Sequence, residues 1–302
     1  MIIRSRPHGL FLFFTLTGSI VPRILRPMAA TIGIAVAVTW AHGVLFSQKV
    51  TLTPIPFSLI GLALAIFLGF RNSASYDRFW EGRKLWGELV IDTRSLARQM
   101  VCYLPMDEAD KRRAVLRLVA FTHALRHHLR DTDPMEEIAP LLGEEDAAAA
   151  KASHNRPDAL LRQASAELAR QMGKADPMML TETERRVLAL AGIQAGCERI
   201  KYTPLPFSYA LLLHRTAYLY CFALPFGLVD SIGFMTPFVV AIVSYTFFGL
   251  DALGDEIEEP FGIAPNDLPL TSICRTIERD LRAALGETEL PPPTEAKSHC
   301  LL

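Results

Sequence analysis

The feature that most constrains this chain is an apolar run that passes without a break into a charged segment. From Ile55 to Phe70 there is no charged residue, whereas from Arg71 onward charges recur every few residues, with no proline before Pro105. The run reaches the length of a membrane span when its first and last turns are counted. The pattern therefore predicts one long helix that begins in a membrane and continues outside it.

Two stripes of residues at four-residue spacing run along the apolar part of this helix. Residues four apart lie on the same face of a helix, so small residues there let a neighbouring helix approach closely. Bulky apolar residues on an adjacent face can line a hydrophobic constriction in a bundle, which favours a pore over an enzyme. The small stripe is Gly61, Ala65 and Gly69, and the bulky stripe is Leu62, Ile66 and Phe70.

Apolar and charged residues are segregated along the 302-residue sequence. Apolar blocks occupy about 10–70 and 203–250, and charge concentrates in 71–200 and 251–290, as in a membrane domain joined to a soluble one. The net charge of −1 and the lack of a basic patch with interleaved aromatic residues argue against a nucleic-acid partner. The five cysteines have no CxxC or metal spacing, so neither a disulfide framework nor a metal centre is expected.

Four segments are long enough to cross a bilayer of roughly 30 Å. They cover about 27–46, 54–70, 204–229 and 232–250. Arginines precede the first segment and a long charged block follows the second, so the positive-inside rule places both termini and residues 71–200 in the cytoplasm. The arginines are Arg4, Arg6, Arg23 and Arg26.

The soluble part carries apolar residues at three- and four-residue intervals, which indicates amphipathic helices. We expect these at 76–102, 107–130, 158–172, 181–199 and 270–285, with an exposed linker at 143–157, and no strand of useful length. The sequence thus predicts an all-α membrane protein. Its parts are an N-terminal cytosolic segment (1–26), membrane helices one and two (27–70), a cytosolic helical domain (71–200), membrane helices three and four (203–250), a C-terminal cytosolic segment (251–286) and a disordered tail (287–302).

Motifs for enzymatic chemistry are absent from the sequence. There is no GxGxxG or Walker loop, no HExxH and no GxSxG, so neither an enzyme nor a cofactor is predicted. His123 and His127 share a helix face beside His128, but no acidic or cysteine partner has ligand spacing nearby, so no metal site is predicted.

Two charged features lie in or next to the predicted spans. His214 and Arg215 fall inside the third span, where ionisable residues are costly and usually face a bundle interior or water. They form a functional intramembrane pair or a packed structural one, or Arg215 extends toward the cytoplasmic side of the membrane. An acidic cluster closes the fourth span and is either a hard-oxygen cation site or, as we favour, a solvated helix exit. Its members are Asp251, Asp255, Glu256, Glu258 and Glu259.

An acidic stripe continues the face of the long helix that carries the bulky apolar stripe. At about 100° per residue, four carboxylates fall within roughly 40° of the direction of Phe70. If the helix is unbroken, they would attract cations and repel anions along a pore. Lys84 lies in the same sector, and an ordinary charged surface is the alternative. The four residues are Asp77, Glu81, Glu88 and Asp92.

Several motifs together resemble the bacterial branch of the bestrophin channels. They are FLGFR at 67–71, YDRFWE at 76–81, KLWG at 84–87, TPLPFS at 203–208, His214-Arg215 and EPFG at 259–262. The similarity covers nearly the whole chain apart from the linker and the tail. The resemblance implies a homopentamer in the bacterial inner membrane, with a helical cytosolic vestibule around one pore.

The resemblance also implies a narrow neck that gates the pore and is lined by three apolar residues of the second span. In this sequence those residues are Leu62, Ile66 and Phe70. A second restriction at the cytosolic exit corresponds to Leu180. Animal members bind calcium through acids that follow the Pro-Phe-Gly motif. Here IAPND follows at 263–267, so most of that clasp is missing.

The sequence therefore predicts a homopentameric channel in the lipid bilayer that passes monovalent cations, Na⁺ or K⁺, without a cofactor. Its alternatives are an anion channel of the same architecture and a proton-coupled transporter that uses His214, Arg215 and the acidic cluster. A membrane-anchored scaffold without permeation is the third alternative.

Overall fold

The structure is a computed structural model that describes residues 1–3, 9, 15, 18–41, 44–45, 48–49, 53–297 and 299–301. The chain divides into two compact units, each with its own internal contacts. The first unit comprises Met1–Arg4, Trp80–Thr203 and Pro260–Leu302, and the second comprises Ser5–Phe79 and Pro204–Glu259.

The described chain is mostly helical, which confirms the predicted class, and it carries one small strand pair that was not predicted. Strands β1 (Val44–Leu45) and β2 (Gln48–Lys49) pair antiparallel. Short 3₁₀ turns occupy Ala139–Leu141 and Gly233–Met235. The α-helices are α1 (Val21–Trp40), α2 (Pro54–Tyr103), α3 (Glu108–Leu129), α4 (Met135–Ile138), α5 (Glu144–Ala152), α6 (Arg156–Ala169), α7 (Pro177–Tyr202), α8 (Phe207–Ile232), α9 (Thr236–Glu258) and α10 (Leu270–Ala284).

Among the described residues, three helical stretches are long and apolar enough to cross a membrane. They are α1, the apolar part of α2, and the 52 residues Phe207–Glu258. The last stretch holds α8 and α9 on either side of the Gly233–Met235 turn. At 1.5 Å per residue it spans about 78 Å of helix, more than twice the roughly 30 Å of a bilayer core. Two crossings therefore fit into it, and the predicted total of four stays a prediction.

The first membrane helix begins earlier than predicted. Helix α1 starts at Val21 instead of Pro27, because Pro22 occupies its first turn, where the missing N–H is no loss. Pro27 lies inside the helix. The helix ends at Trp40, and the predicted end at Phe46 lies outside the described residues.

Close approaches at glycine hold the second unit together. A Cβ at Gly61 would lie 2.7 Å from the Tyr220 hydroxyl, so α8 packs directly against the backbone of α2. A Cβ at Gly227 would lie 2.5 Å from two ring carbons of Phe57, which is the same arrangement in reverse. Leu64, Leu68 and other buried apolar residues of α1, α2, α8 and α9 fill the space between these contacts.

In the first unit, α3 packs against α6 and α10. Asp107 caps α3, since its carboxylate accepts a hydrogen bond from the Asp110 amide at 2.7 Å. Burial raises the pKa of Cys197 and Cys274 to about 12, so both thiols stay protonated and unreactive.

Two soluble segments differ from the sequence prediction. The expected linker at 143–157 contains helix α5, because its alanines favour a helix and three acids occupy its first turn. Arg117 on α3 anchors α5 through Asp146, at 2.6 Å. The expected disordered tail makes defined contacts in its described part, since Ile3 donates to the His299 carbonyl and Leu301 to the Met1 carbonyl, both at 2.8 Å.

The units meet later along the sequence than the predicted domain boundaries. Their limits are Phe79/Trp80 and Glu259/Pro260, whereas the sequence placed them at 70/71 and 250/251. The difference arises because the charged last turns of α9 pair with arginines at 71 and 78. Those turns therefore fold with the apolar unit.

We predict that Gly227→Ala lowers the stability of the protein although alanine is the better helix former. The added methyl collides with the Phe57 ring, and overpacking of this kind costs about 1–3 kcal/mol. Thermal unfolding in detergent measures the effect. Gly192→Ala is the control, since a Cβ there meets no atom within 4 Å. A Gly227→Ala protein that melts with the native one would contradict the packing.

Candidate functional site

The candidate site is the exposed apolar face of α2. Leu62, Ile66 and Phe70 are 61%, 48% and 64% exposed in the single chain, whereas Leu64 and Leu68 on the opposite face are 2% and 0% exposed. The bulky stripe therefore points away from its own chain. It is available to line a pore or to contact lipid or another subunit.

The small-residue stripe beside it is used in two different ways. Gly61 admits Tyr220 within the chain. A Cβ at Gly69 would meet no atom within 4 Å, and Ala65 is exposed. Within the described residues, Gly61 is therefore the member of the stripe at which another helix approaches closely.

The acidic stripe is only partly free. Helix α2 runs without interruption to Tyr103, which confirms the unbroken helix. Asp77 and Glu88 are exposed, but Glu81 pairs with Arg199, and the buried Asp92 lies 2.9 Å from Arg186. Two of the four carboxylates therefore have their own counter-charges.

A buried arginine, which the sequence pattern did not reveal, directly follows Phe70. Arg71 is 1% exposed, and its Nη1 donates to Asp251 Oδ1 at 2.8 Å. Its Nη2 donates to Asp255 and lies 3.8 Å from Glu258 Oε2. The three acids lie within two turns of one helix. This spacing was the sequence pattern from which a shared cationic partner could have been predicted.

Two further acids of the cluster have partners. Arg78 donates to the Glu258 carbonyl at 3.1 Å, and the Glu258 carboxylate accepts from the Leu205 amide at 2.9 Å. Arg23 pairs with Glu256 at 3.2 Å. These contacts correct the interpretation as an open cation site. The interpretation as a solvated helix exit holds for the exposed Glu259 and in part for Asp255, which is exposed but also pairs with Arg71.

His214 and Arg215 do not form a pair with each other. His214 Nδ1 lies 2.7 Å from Asp251 Oδ2, which joins the histidine to the Arg71 network. Arg215 is exposed on the adjacent face of α8. The intramembrane pair predicted from the sequence is therefore replaced by a His214–Asp251–Arg71 chain of contacts.

The three histidines of α3 are held by carboxylates. His123 Nδ1 lies 2.9 Å from Glu137 and Nε2 lies 3.3 Å from Glu278, while His128 lies 3.1 Å from Glu198. Within the described residues no group of three or more His, Cys, Asp or Glu side chains is arranged to hold a metal ion. Burial opposes the charge on His123, but the hydrogen bonds of the two carboxylates outweigh it and raise its pKa. Burial likewise opposes the charge on Glu278, and the bond to His123 lowers the pKa of that carboxyl.

Leu180 lies near the start of α7 and is half-buried. It lines an apolar groove of about 560 Å³ between α6 and α7, together with Leu168, Met172 and Leu188. Met172 and Leu188 are 73% and 62% exposed. The neighbourhood of Leu180 is thus an open apolar surface in the single chain, and its role as a restriction stays a prediction.

This fold defines a mostly helical protein of the multi-helix membrane class. The sequence model of the family described as "Bacterial/Fungal Bestrophin protein" matches residues 1–283. The chain belongs to that family, which confirms the resemblance.

Relatives and solved structures agree with this assignment. A voltage-dependent anion channel-forming protein of Mesorhizobium japonicum is 44% identical, over 97% of this chain and 94% of its own. The protein of that name from Escherichia coli K12, YneE, is 41% identical over 96% of both chains. A crystal structure of a variant bestrophin homologue from Klebsiella pneumoniae is 42% identical, with a TM-score of 0.84, over 88% of this chain and all of that one.

The names of these relatives contradict one prediction. The sequence analysis favoured cation selectivity, whereas the relatives carry the name of anion channel-forming proteins. The cation assignment is therefore wrong on this comparison. Its physical weakness is visible in the structure, since Glu81 and Asp92 are paired with arginines that sequence periodicity could not reveal.

We predict that the His123 cluster makes stability depend on pH. A histidine whose folded pKa is raised stabilises the protein below its unfolded pKa of about 6.5, and this contribution is lost as pH rises through the folded value. Glu278 sets the lower pH limit, because its pKa is lowered in the folded protein. Its contribution to stability is fully present above its unfolded pKa of about 4.3 and is lost as the pH falls through the folded value. Stability from the cluster is therefore greatest between these limits.

Thermal unfolding of the native protein and of His123→Gln at about pH 6 and pH 9 tests this dependence. We expect the substitution to cost about 1–3 kcal/mol at the lower pH, because the buried Glu278 and the half-exposed Glu137 lose a charged partner, and less at the higher pH. His154→Gln, at an exposed position, is the control. An equal loss at both pH values would contradict the charged state of His123.

Proposed function

We propose that this chain is the subunit of a homopentameric ion channel whose neck is formed by Leu62, Ile66 and Phe70 of α2. The observation that carries the proposal is the high exposure of all three bulky side chains on one face of a membrane-length helix. Membership of the bestrophin family supports a channel. Five subunits follow from the resemblance to that family.

The neck would act as a hydrophobic gate. Three apolar rings stacked one helical turn apart offer no polar group to replace the hydration shell of an ion. Such a constriction holds ions back by width and by loss of water. Leu180 would form a second restriction at the cytosolic exit. Flow would be passive, without a cofactor.

We propose that the permeant ions are monovalent anions. The support is the name of the relatives, which are about two-fifths identical to this chain over nearly its whole length. The pairing of Glu81 and Asp92 with arginines also favours anions, because it neutralises two of the four negative charges expected beside the pore. The channel would lie in the bacterial inner membrane with both termini in the cytoplasm.

We predict that Ile66→Ala and Phe70→Ala raise the single-channel conductance in planar bilayers, because smaller side chains widen the neck and let water enter. Ile60→Ala is the matched control. Ile60 is 45% exposed against 48% for Ile66, yet it lies about 120° around the helix from it. Unchanged conductance in both neck variants, or an equal rise in the control, would refute the neck.

The sign of selectivity is measured by the reversal potential across a tenfold gradient of KCl. We expect it near the equilibrium potential of chloride. A value near that of potassium would refute anion selectivity and leave the channel itself standing. The absence of ion flux through purified protein in liposomes would favour a scaffold. Flux that saturates with substrate and is driven by a proton gradient would favour a transporter.

A further inference from the structure

We propose that Arg71 is a positioning residue for permeation: its contacts with the acids of α9 fix the direction in which Phe70 projects. The inference rests on the proposed function of the neck. Its test separates failure of the neck from failure of this positioning role.

The geometry begins with two consecutive residues of α2. Successive residues on a helix differ by about 100° in direction. Arg71 is 1% exposed and directed at α9, whereas Phe70 is 64% exposed. Any rotation of α2 that moved Phe70 would therefore pull Arg71 away from its carboxylates.

The contacts of Arg71 resist such a rotation. Its guanidinium is permanently charged and has a fixed planar geometry. Nη1 bonds to Asp251 and Nη2 to Asp255, which lie one helical turn apart on α9. Two separate donors held by two separate acceptors restrain both the rotation and the translation of the side chain. Removal from these partners would leave a buried charge without compensation.

The backbone of α9 approaches closely at the same level. A Cβ at Gly254 would lie 2.5 Å from Asn72 Oδ1 and 3.6 Å from Arg71 Cζ. The helices can approach this closely because residue 254 has no side chain. The buried Asn72 Oδ1 has no hydrogen-bond partner in the described chain, so the fit at this point depends on shape.

The restraint extends to two further segments. Asp251 also contacts His214 of α8 at 2.7 Å, and Glu258 accepts from the Leu205 amide at 2.9 Å. The direction of Phe70 is thereby tied to the start and the second turn of α8 as well as to α9. A neck residue is in this way coupled to elements that it does not touch.

The test compares single-channel conductance in four proteins: native, Arg71→Lys, Phe70→Ala and the double variant. Lysine keeps the charge but carries it on a single nitrogen at the end of a flexible chain, so it lacks the planar geometry that holds Asp251 and Asp255 in fixed positions. We expect Arg71→Lys to change the conductance by about twofold or more, as is common for coupled residues in contact. In the Phe70→Ala background the same substitution should have little effect, because the side chain that it misplaces is gone.

Gly254→Ala tests the same contact from helix α9. We expect it to change the conductance of the native protein and to have little effect in the Phe70→Ala protein. Arg23→Gln is the control, since it removes an exposed ion pair of the same unit. Native conductance in both Arg71→Lys and Gly254→Ala would overturn the positioning role. So would equal effects in the native and Phe70→Ala backgrounds, which indicate a structural role only. If Phe70→Ala itself leaves conductance unchanged, Phe70 does not constrict the pore and the positioning role fails, whereas the whole neck fails only if Ile66→Ala is also without effect.

Discussion

The ion network around Arg71 is the interaction on which the rest of the second unit depends. A charged group this deeply buried is tolerated only with several partners, and Asp251, Asp255 and Glu258 supply them from one helix. The network brings the charged end of α9 into the apolar unit, which is why the unit extends to Glu259. It also gives the acids that close α9 a structural purpose, in place of ion binding at an open surface.

The two faces of α2 have different tasks. One face supplies Leu64, Leu68 and Arg71, which are almost completely buried against the chain's own helices. The other supplies the bulky stripe, which the single chain leaves bare. Membrane helices gain little from the hydrophobic effect in lipid, so close packing and polar contacts must hold them together. The glycine contacts with Tyr220 and Phe57, and the Arg71 network, meet that requirement here.

Local patterns predicted the elements that depend on local chemistry. The unbroken α2 follows from the absence of proline before Pro105, and the dispersed motifs identified the family. Helix α5 was missed because its composition also suits an exposed linker. The partners of Arg71, and the arginines that neutralise Glu81 and Asp92, lie about 90 to 180 residues away along the chain. No periodicity in a single sequence reveals such pairs, so the charge of the stripe was overestimated.

The separation between the anchored and the bare face of α2 has a consequence for how such proteins diverge. Leu62, Ile66 and Phe70 contribute little burial to their own chain, so replacing them leaves the scaffold of the subunit nearly untouched. With the proposed neck at these positions, relatives would differ in pore diameter through single substitutions while they share one architecture. Variation at these positions would then carry information about permeation, whereas variation at Arg71 or Gly254 would have to be matched by changes on the facing helix.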